Sequence, residues 1–328
     1  MSRDPYWKIF AALILLGGFG AAPVAAADQY PSKPVTIVVP YQPGGGLDLA
    51  VRSIANVLRE QTGQPFIVEN RSGASGKVGS RYVLGMPPDG YTLLADTDTF
   101  VTNAALERRD LQVGRDMVAG ASLTAVPLVI AVNPSLPVHS IAELVDYLKT
   151  TPNQQSYSSC GIGTVMHLVA ELFKQVAKVQ MAHVPYAGCA HAINDGLGGH
   201  VPILFNTAAN VVPYAQAGKL RILAVTRPAS LEGIQEKVPV LYELPGFENV
   251  RGQSWAGIFL PVGAPATLVD RINDLVSKAK QDSRVVSQFQ RATQTSLEMS
   301  PKEFTEFANA ELVRWRKVVE TANITAEN

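Results

Sequence analysis

Two glycine-bearing turns in this chain have the residue types and the placement to hold an anion. In the first, the apolar run TIVV (36–39) leads into PYQPGGGLD, which ends at Asp48, and an amphipathic helix pattern follows over 49–60. In the second, QSYSSCGIGTVMH (155–167) runs into LVAELFKQVAK. Glycine at a strand-to-helix turn lets backbone amides point at one spot, and the helix N-terminus adds partial positive charge. Two such turns predict a cleft that takes a small carboxylate from both sides.

Each candidate residue also has a plainer reading. Gly44, Gly45 and Gly46 could simply make a tight turn. Asp48 fits an N-cap, accepting amides at the helix start; its other reading is a partner for a ligand ammonium. In the second turn Ser158, Ser159, Gly161 and Gly163 precede a helix. Thr164 can cap that helix or offer its hydroxyl to a ligand oxygen. His167, one turn on, reads as a packed, hydrogen-bonded side chain more than as a catalyst. His183 precedes Pro185 and Tyr186 and shapes a loop, and Tyr186 either touches the ligand or lines the cleft. Asp96, Thr97, Asp98 and Thr99 follow YTLLA, at the carboxyl end of a strand, where α/β folds place ligands. Asp98 would repel a bound carboxylate unless the solute also carries a cation or a donor. That favours an amino acid, amide or heteroaromatic acid over a plain tricarboxylate. Trp255 can stack on a ligand or fill the core.

Other chemistries lack their residues. The first turn has no Lys-Ser/Thr pair for phosphates and magnesium, and GIGTVM has no third glycine of a dinucleotide fingerprint. His167, His183, His191 and His200 do not give zinc spacing. No cofactor and no metal is therefore expected. With 28 basic and 28 acidic residues, the chain has no electrostatic footprint for nucleic acid or anionic membrane.

The elements that must position these turns alternate. Strand patterns over 35–40, 66–69 and 91–95 are separated by helix patterns over 48–62 and 76–84, which predicts a parallel sheet with crossover helices. LVIAV (128–132) is a further strand, and His139-Ser140 opens a helix that has Glu143 in its first turns and stops before Pro152. A second α/β set follows, with strands over 156–159, around Val184, over 203–205 and over 222–226. Its helices are expected over 164–176 and 190–197. WAGIFL (255–260) reads as a strand, and the remainder is mainly helical. A helical tail after a second α/β set is simplest if the chain returns to the first domain, with LVIAV and WAGIFL as the crossing strands.

Residues 1–27 read as a secretory signal: Arg3 and Lys8 give a basic start, 9–19 an apolar stretch, and Ala25-Ala26-Ala27 a small-residue site before Asp28. An apolar run of about a dozen residues is too short to span a bilayer, so cleavage and a soluble periplasmic product are expected. About 300 remaining residues favour two domains. Cys160 and Cys189 enter an oxidising compartment, where an isolated pair favours a disulfide over a metal site or a nucleophile.

These segments, taken in order, resemble the periplasmic solute receptors of tripartite tricarboxylate transporters, the Bug proteins. The resemblance runs through YPSKPVTIVVPYQPGGGLD, PFIVENRSGASGKVG, PPDGYTLL, VNPSLP, SSCGIGTVMHLVAELF, HVPYAGCAHAINDGLGGHV, AGKLRILAVT and SWAGIFLPVGAP. It implies an α/β, two-domain periplasmic-binding-protein fold of the Venus-flytrap type II class, with two hinge strands. Domain 1 would be discontinuous, over 28–126 and 255–328, and domain 2 would span 127–254. It implies a monomeric, non-enzymatic receptor. Such a protein takes one small organic acid, amino acid or heteroaromatic carboxylate from the cleft to a membrane permease. The candidate ligand set is Tyr41, Gly44, Gly45, Gly46, Asp48, Ser75, Thr97, Asp98, Ser159, Gly161, Gly163, Thr164, His167, Tyr186 and Asn206. Cys160 and Cys189 fall in adjacent cleft loops, and a bond between them is expected.

Three positions depart from the family pattern. Asn206 stands where an aspartate is common, His191 where a proline is usual, and Ala187 where the turn carries lysine. Two other functions share parts of these features. One is a sensor presenting its ligand to a membrane signalling partner. The other is a secreted thiol hydrolase using Cys160, whose thiolate a helix N-terminus would stabilise.

Overall fold

The computed structural model describes residues 30–325 apart from 187, 229, 230, 232, 235 and 236. The expected signal segment, the cleavage site before Asp28, and Ala187 lie outside these residues.

Strand β1 (Val35–Val39) is apolar at four of its five positions, and Val35, Ile37, Val38 and Val39 are all buried. Burial on both faces is what a central parallel strand requires. It pairs in parallel with β2 (Phe66–Asn70) on one side and β3 (Thr92–Thr97) on the other. The crossover from β1 to β2 is helix α1 (Gly46–Thr62), which buries Ala50, Val51, Ile54, Ala55, Val57 and Leu58. That spacing is one face of a helix. The helix stops at Gly63, whose φ of 70° lets its amide reach Arg59 O. Helix α2 (Lys77–Leu84) makes the crossover to β3, and α3 (Thr99–Leu106) follows it.

The next strand, β4 (Val118–Val132), is 15 residues long and changes partners along its length. Residues 118–127 run antiparallel to β9 (Gln253–Leu260), which is itself antiparallel to β3. Residues 128–132 run antiparallel to β7 (Ile203–Thr207) and β8 (Arg221–Val225). Beyond β7 lie β5 (Ser156–Ser159) and β6 (Ala182–Pro185), all parallel to one another. The path is β2-β1-β3-β9-β4-β7-β5-β6, with the short β10 (Thr295–Ser296) on β4. The fold is thus of the two-lobed α/β periplasmic-binding type.

The parallel pairing expected of the first three strands is present in β1–β3 and recurs in β5–β7, while β4 and β9 join them antiparallel. The expectation about the crossing strands needs correction. LVIAV is only the last third of the crossing strand. WAGIFL pairs entirely with β3 and the first part of β4, so the chain has completed its return before Gln253.

The second lobe is framed by α4 (Ile141–Thr150), α5 (Val165–Ala177), α6 (Cys189–Leu197) and α7 (Ala208–Gln216). Ser140 caps α4 by accepting Glu143 N, and Thr164 caps α5 by accepting His167 N, both as the sequence indicated. The tail forms α8 (Ala266–Lys280), α9 (Ser283–Arg291) and α10 (Pro301–Thr321), the last opened by a Ser300/Glu303 capping box. Trp255 is 1% exposed and meets Phe100, Phe304 and Phe307 edge-on. Its core role is therefore established. No helix among the described residues is long and apolar enough to cross a membrane.

Candidate functional site

The first glycine turn carries its own anion. Gly45, not Asp48, is the N-cap of α1, and it supplies no side-chain oxygen. Asp48 sits in the first helical turn, where its carboxylate accepts Gly44 N at 2.9 Å, Arg52 Nε at 2.9 Å and Asn70 Nδ2 at 2.9 Å. Burial raises its pKa, but the Arg52, Gly44 and Asn70 bonds outweigh that and hold it below the usual carboxylate range. At 2% exposure, Asp48 is tied into the protein and fixes the turn. The glycines differ in need: Gly44 has φ of 86°, a region that favours glycine, whereas Gly45 at φ −73° is open to any residue.

Behind the turn, Tyr41 OH donates to Asp96 Oδ1 at 2.8 Å and lies 2.9 Å from Thr97 Oγ1. Asp96 also accepts Ser80 Oγ and Thr97 N, each at 2.8 Å. Burial pushes Asp96 up to about 6, against those bonds. Burial, with the Asp96 charge beside it, raises Tyr41 well above its ordinary value. Ser75, in the left-handed region at φ 54°, offers its carbonyl to Asn103 Nδ2 at 3.2 Å.

The second turn is closed on itself. Gly161 N donates to Ser159 Oγ at 3.3 Å, Gly163 N to His167 Nδ1 at 3.1 Å, and Thr164 N to Gly161 O at 3.3 Å. His167 stacks on His183 with 3.8 Å between centroids, and His183 stacks on Tyr157 at 4.9 Å. His183 Nε2 is 2.7 Å from Ser159 Oγ. Burial drives His167 down to about 4, helped by the Lys174 charge. Burial and then the neighbouring His167 drive His183 down to about 3. The Gly163 N bond requires an unprotonated Nδ1 on His167, so that ring is neutral. Cys160 and Cys189 form a disulfide that ties this turn to the start of α6. With no thiol at Cys160, the hydrolase alternative loses its nucleophile. Tyr186 OH donates to Asp195, and burial is the main cause pushing the phenol up to about 12. A Cβ on Gly163 would lie 2.6 Å from Leu106 Cδ2, so the turn packs directly on the end of α3.

Between the starts of α1 and α7 is a cavity of about 210 Å³. Its walls are Gly46 and Leu47 at the start of α1, Thr97 after β3, and Thr124 and Val126 on β4. Thr207, Ala209 and Asn210 at the start of α7 face it, with Ser254, Trp255 and Ala256 on β9, then Ala292 and Gln294. Neither α1 nor α7 has a side-chain cap, so their first amides remain available as donors. Among the described lining residues none is charged.

Of the candidates, Gly46 and Thr97 line this cavity. Tyr41 backs Thr97, and Asp48 braces Gly44. Asn206 connects the second turn to the cavity: its Oδ1 accepts Thr207 N and Asn210 Nδ2, each at 2.9 Å, and lies 3.7 Å from Cys160 Sγ. Ser159, Gly161, Gly163, Thr164, His167 and Tyr186 form the second-turn cluster beyond Asn206. Asp98 faces inward, 2% exposed, accepting Ser254 Oγ at 2.7 Å and Trp255 N at 3.1 Å. Burial pushes it up to about 7. His191, in α6, does not line the cavity. Sequence reasoning missed Thr124, Thr207, Asn210, Ser254 and Gln294. Thr124 lies on the crossing strand β4, and Thr207 and Ser254 lie on the strands β7 and β9 that pair with it, so the strand-crossing pattern was the signal that could have found these three.

A family model described as the tripartite tricarboxylate transporter family receptor matches residues 50–324. Protein BugT of Bordetella pertussis is 29% identical over 93% of this chain and 94% of its own length. A protein in the tcbD-tcbE intergenic region of a Pseudomonas strain is 30% identical over 95% of this chain and 93% of its own. Two solved structures superpose closely. An R. palustris protein with adipate is 31% identical at a TM-score of 0.75, covering 90% of this chain and 99% of that one. The malate-bound MatC of Rhodopseudomonas palustris is 26% identical at 0.73, covering 88% and 100%.

Proposed function

The chain belongs to the tripartite tricarboxylate transporter receptor family, and on that premise we propose that it captures one small carboxylate-bearing solute in the cavity between its two lobes. The observation that carries this is the cavity wall. The uncapped starts of α1 and α7 open onto it with hydroxyl and amide side chains, and none of the described lining residues carries charge. Helix N-termini favour negative charge and present amides to it. Neutral donors can therefore hold a carboxylate without a fixed cation. Adipate and malate, held by two structural relatives, are solutes of this class.

The protein acts as a monomer in the periplasm and hands its solute to a membrane permease of the tripartite type. Domain 1 comprises 28–126 with 255–328 and domain 2 comprises 127–254; the change of partners within β4 after Pro127 and the start of β9 at Gln253 support those limits. The second-turn residues act on the ligand through Asn206 and Asn210. Solute binding then favours a closed arrangement of the lobes.

Thermal-shift and calorimetric titration of the mature protein against small mono-, di- and hydroxydicarboxylates, adipate and malate included, tests the reading. At least one should bind stoichiometrically and raise Tm. A protein indifferent to every carboxylate at millimolar concentration would overturn it.

A further inference from the structure

Ser254 is half-buried on β9 and lines the cavity, but its proton is committed elsewhere. Its Oγ donates to Asp98 Oδ1 at 2.7 Å, and the same oxygen accepts the Trp255 amide at 3.1 Å. A backbone N–H can only donate, so Oδ1 is an acceptor whether or not Asp98 is ionised. Any proton on that carboxyl must sit on Oδ2. Ser254 therefore has only lone pairs left to offer the cavity. Gln294 supplies a second acceptor. Its Nε2 donates to Gly46 O at 3.3 Å, which fixes the amide's orientation. Its Oε1 has no partner among the described residues, and the side chain is 9% exposed. A buried acceptor left without a donor is unfavourable.

We propose that Asp98 is a positioning residue for specificity: by holding the Ser254 proton, it makes this wall of the cavity an acceptor. The solute must then bring a hydrogen-bond donor, such as a hydroxyl, an amide N–H or an ammonium, as well as its carboxylate. The inference rests on the receptor reading above. The sequence placed the Asp98 charge beside the ligand. Asp98 instead faces away from the cavity and acts through Ser254.

The test is calorimetric binding of matched solutes to the mature protein: succinate against malate and aspartate, glutarate against 2-hydroxyglutarate and glutamate, adipate against 2-hydroxyadipate and 2-aminoadipate. In the chain length that fits, the donor-bearing solute should bind at least about tenfold more tightly than the plain diacid, since only it pairs the buried acceptor. Ser254→Ala should lower that ratio, because it removes an acceptor that only the donor-bearing solute pairs, with Gln294 Oε1 the acceptor that remains. Asp98→Asn retains an oxygen acceptor and should keep the ratio. Asp98→Ala frees the Ser254 hydroxyl to donate, so the ratio should fall through a gain by the plain diacid. A purely structural role would alter all affinities together and leave the ratio alone. If Asp98→Ala does not fold by circular dichroism, Ser254→Ala decides alone. A plain diacid that binds as tightly as its hydroxy and amino partners, or a ratio undiminished by Ser254→Ala, overturns the inference while the receptor reading stands. If no solute of any length binds, the receptor reading fails and the inference fails with it.

Discussion

Replacing His183 by phenylalanine isolates one titrating ring without removing the flat surface that His167 and Tyr157 stack against. His183 is held down near 3 in the folded protein, and an unfolded histidine titrates near 6.5. Below pH 6.5 the unfolded chain therefore binds the extra proton, and the stability His183 contributes is lost as pH falls. Going from pH 8 to pH 5, that loss is about 2 kcal/mol, and His167, held near 4, loses a similar amount of about 2 kcal/mol. Asp98 and Asp96 work in the opposite direction, because their folded values, about 7 and about 6, are raised. They bind protons in the folded state first, and over the same interval they add stability of about 3 and about 1 kcal/mol. The two pairs nearly offset in the natural sequence. His183→Phe removes one side of that balance. Urea unfolding at pH 8 and pH 5, followed by tryptophan fluorescence, should show the variant gaining about 2 kcal/mol on acidification relative to the unsubstituted protein. Groups elsewhere cancel in the difference. Parallel pH profiles for the two proteins would refute the claim that His183 is buried in its neutral form.

Thiol titration of the oxidised protein in denaturant should find no free thiol. Cys160→Ser with Cys189→Ser should cost about 3 to 4 kcal/mol of unfolding free energy in the chain-entropy account of a loop this long; two titratable thiols would refute the bond. Gly45→Ala should leave stability nearly unchanged, since a Cβ there meets nothing closer than Gln42 O at 3.8 Å. Gly44→Ala, which must hold φ of 86°, should be destabilised by about 1 kcal/mol or more in thermal melts. Equal effects at the two positions would contradict the assigned turn geometry.

Local signals carried much of this architecture. Val35 to Val39 could be read as a buried strand from its unbroken β-branched run, and Ser140 and Thr164 as caps from their place before apolar periodicity. The pairing of Cys160 with Cys189 was reached from compartment and resemblance together. What escaped did so for physical reasons. Residues 118–127 contain glycine, serine and proline and are buried on both faces, so they show neither alternation nor a strong strand preference. Helix α3, with the sequence TFVTNAAL, is buried on most sides and lacks a polar face to mark its period. Thr124, Ser254 and Gln294 converge on the cavity only because β4 lies between β9 and β10, a pairing that no local window contains. Asp48 was placed at the helix cap because carboxylates favour that position. Its actual partner set, with Arg52 one turn ahead and Asn70 on the next strand, depends on the tertiary contact between β1 and β2.

The insertion of β9 between β3 and β4 also constrains how the molecule can be built. Leu94 and Ala119 both pair with Phe259, a residue synthesised long after either. While the chain grows, β3 and the first part of β4 present unpaired backbone edges. Their proper neighbour has not yet been made, and such edges invite pairing with other chains. Closing so long a loop is slow compared with forming α1 or α5. Assembly of the first lobe should therefore wait for the C-terminal quarter of the sequence, while the strands β5 to β8, contiguous in the chain, can assemble earlier. A polypeptide truncated before Gln253 would carry an exposed edge on each side of the missing strand, and aggregation is its expected fate.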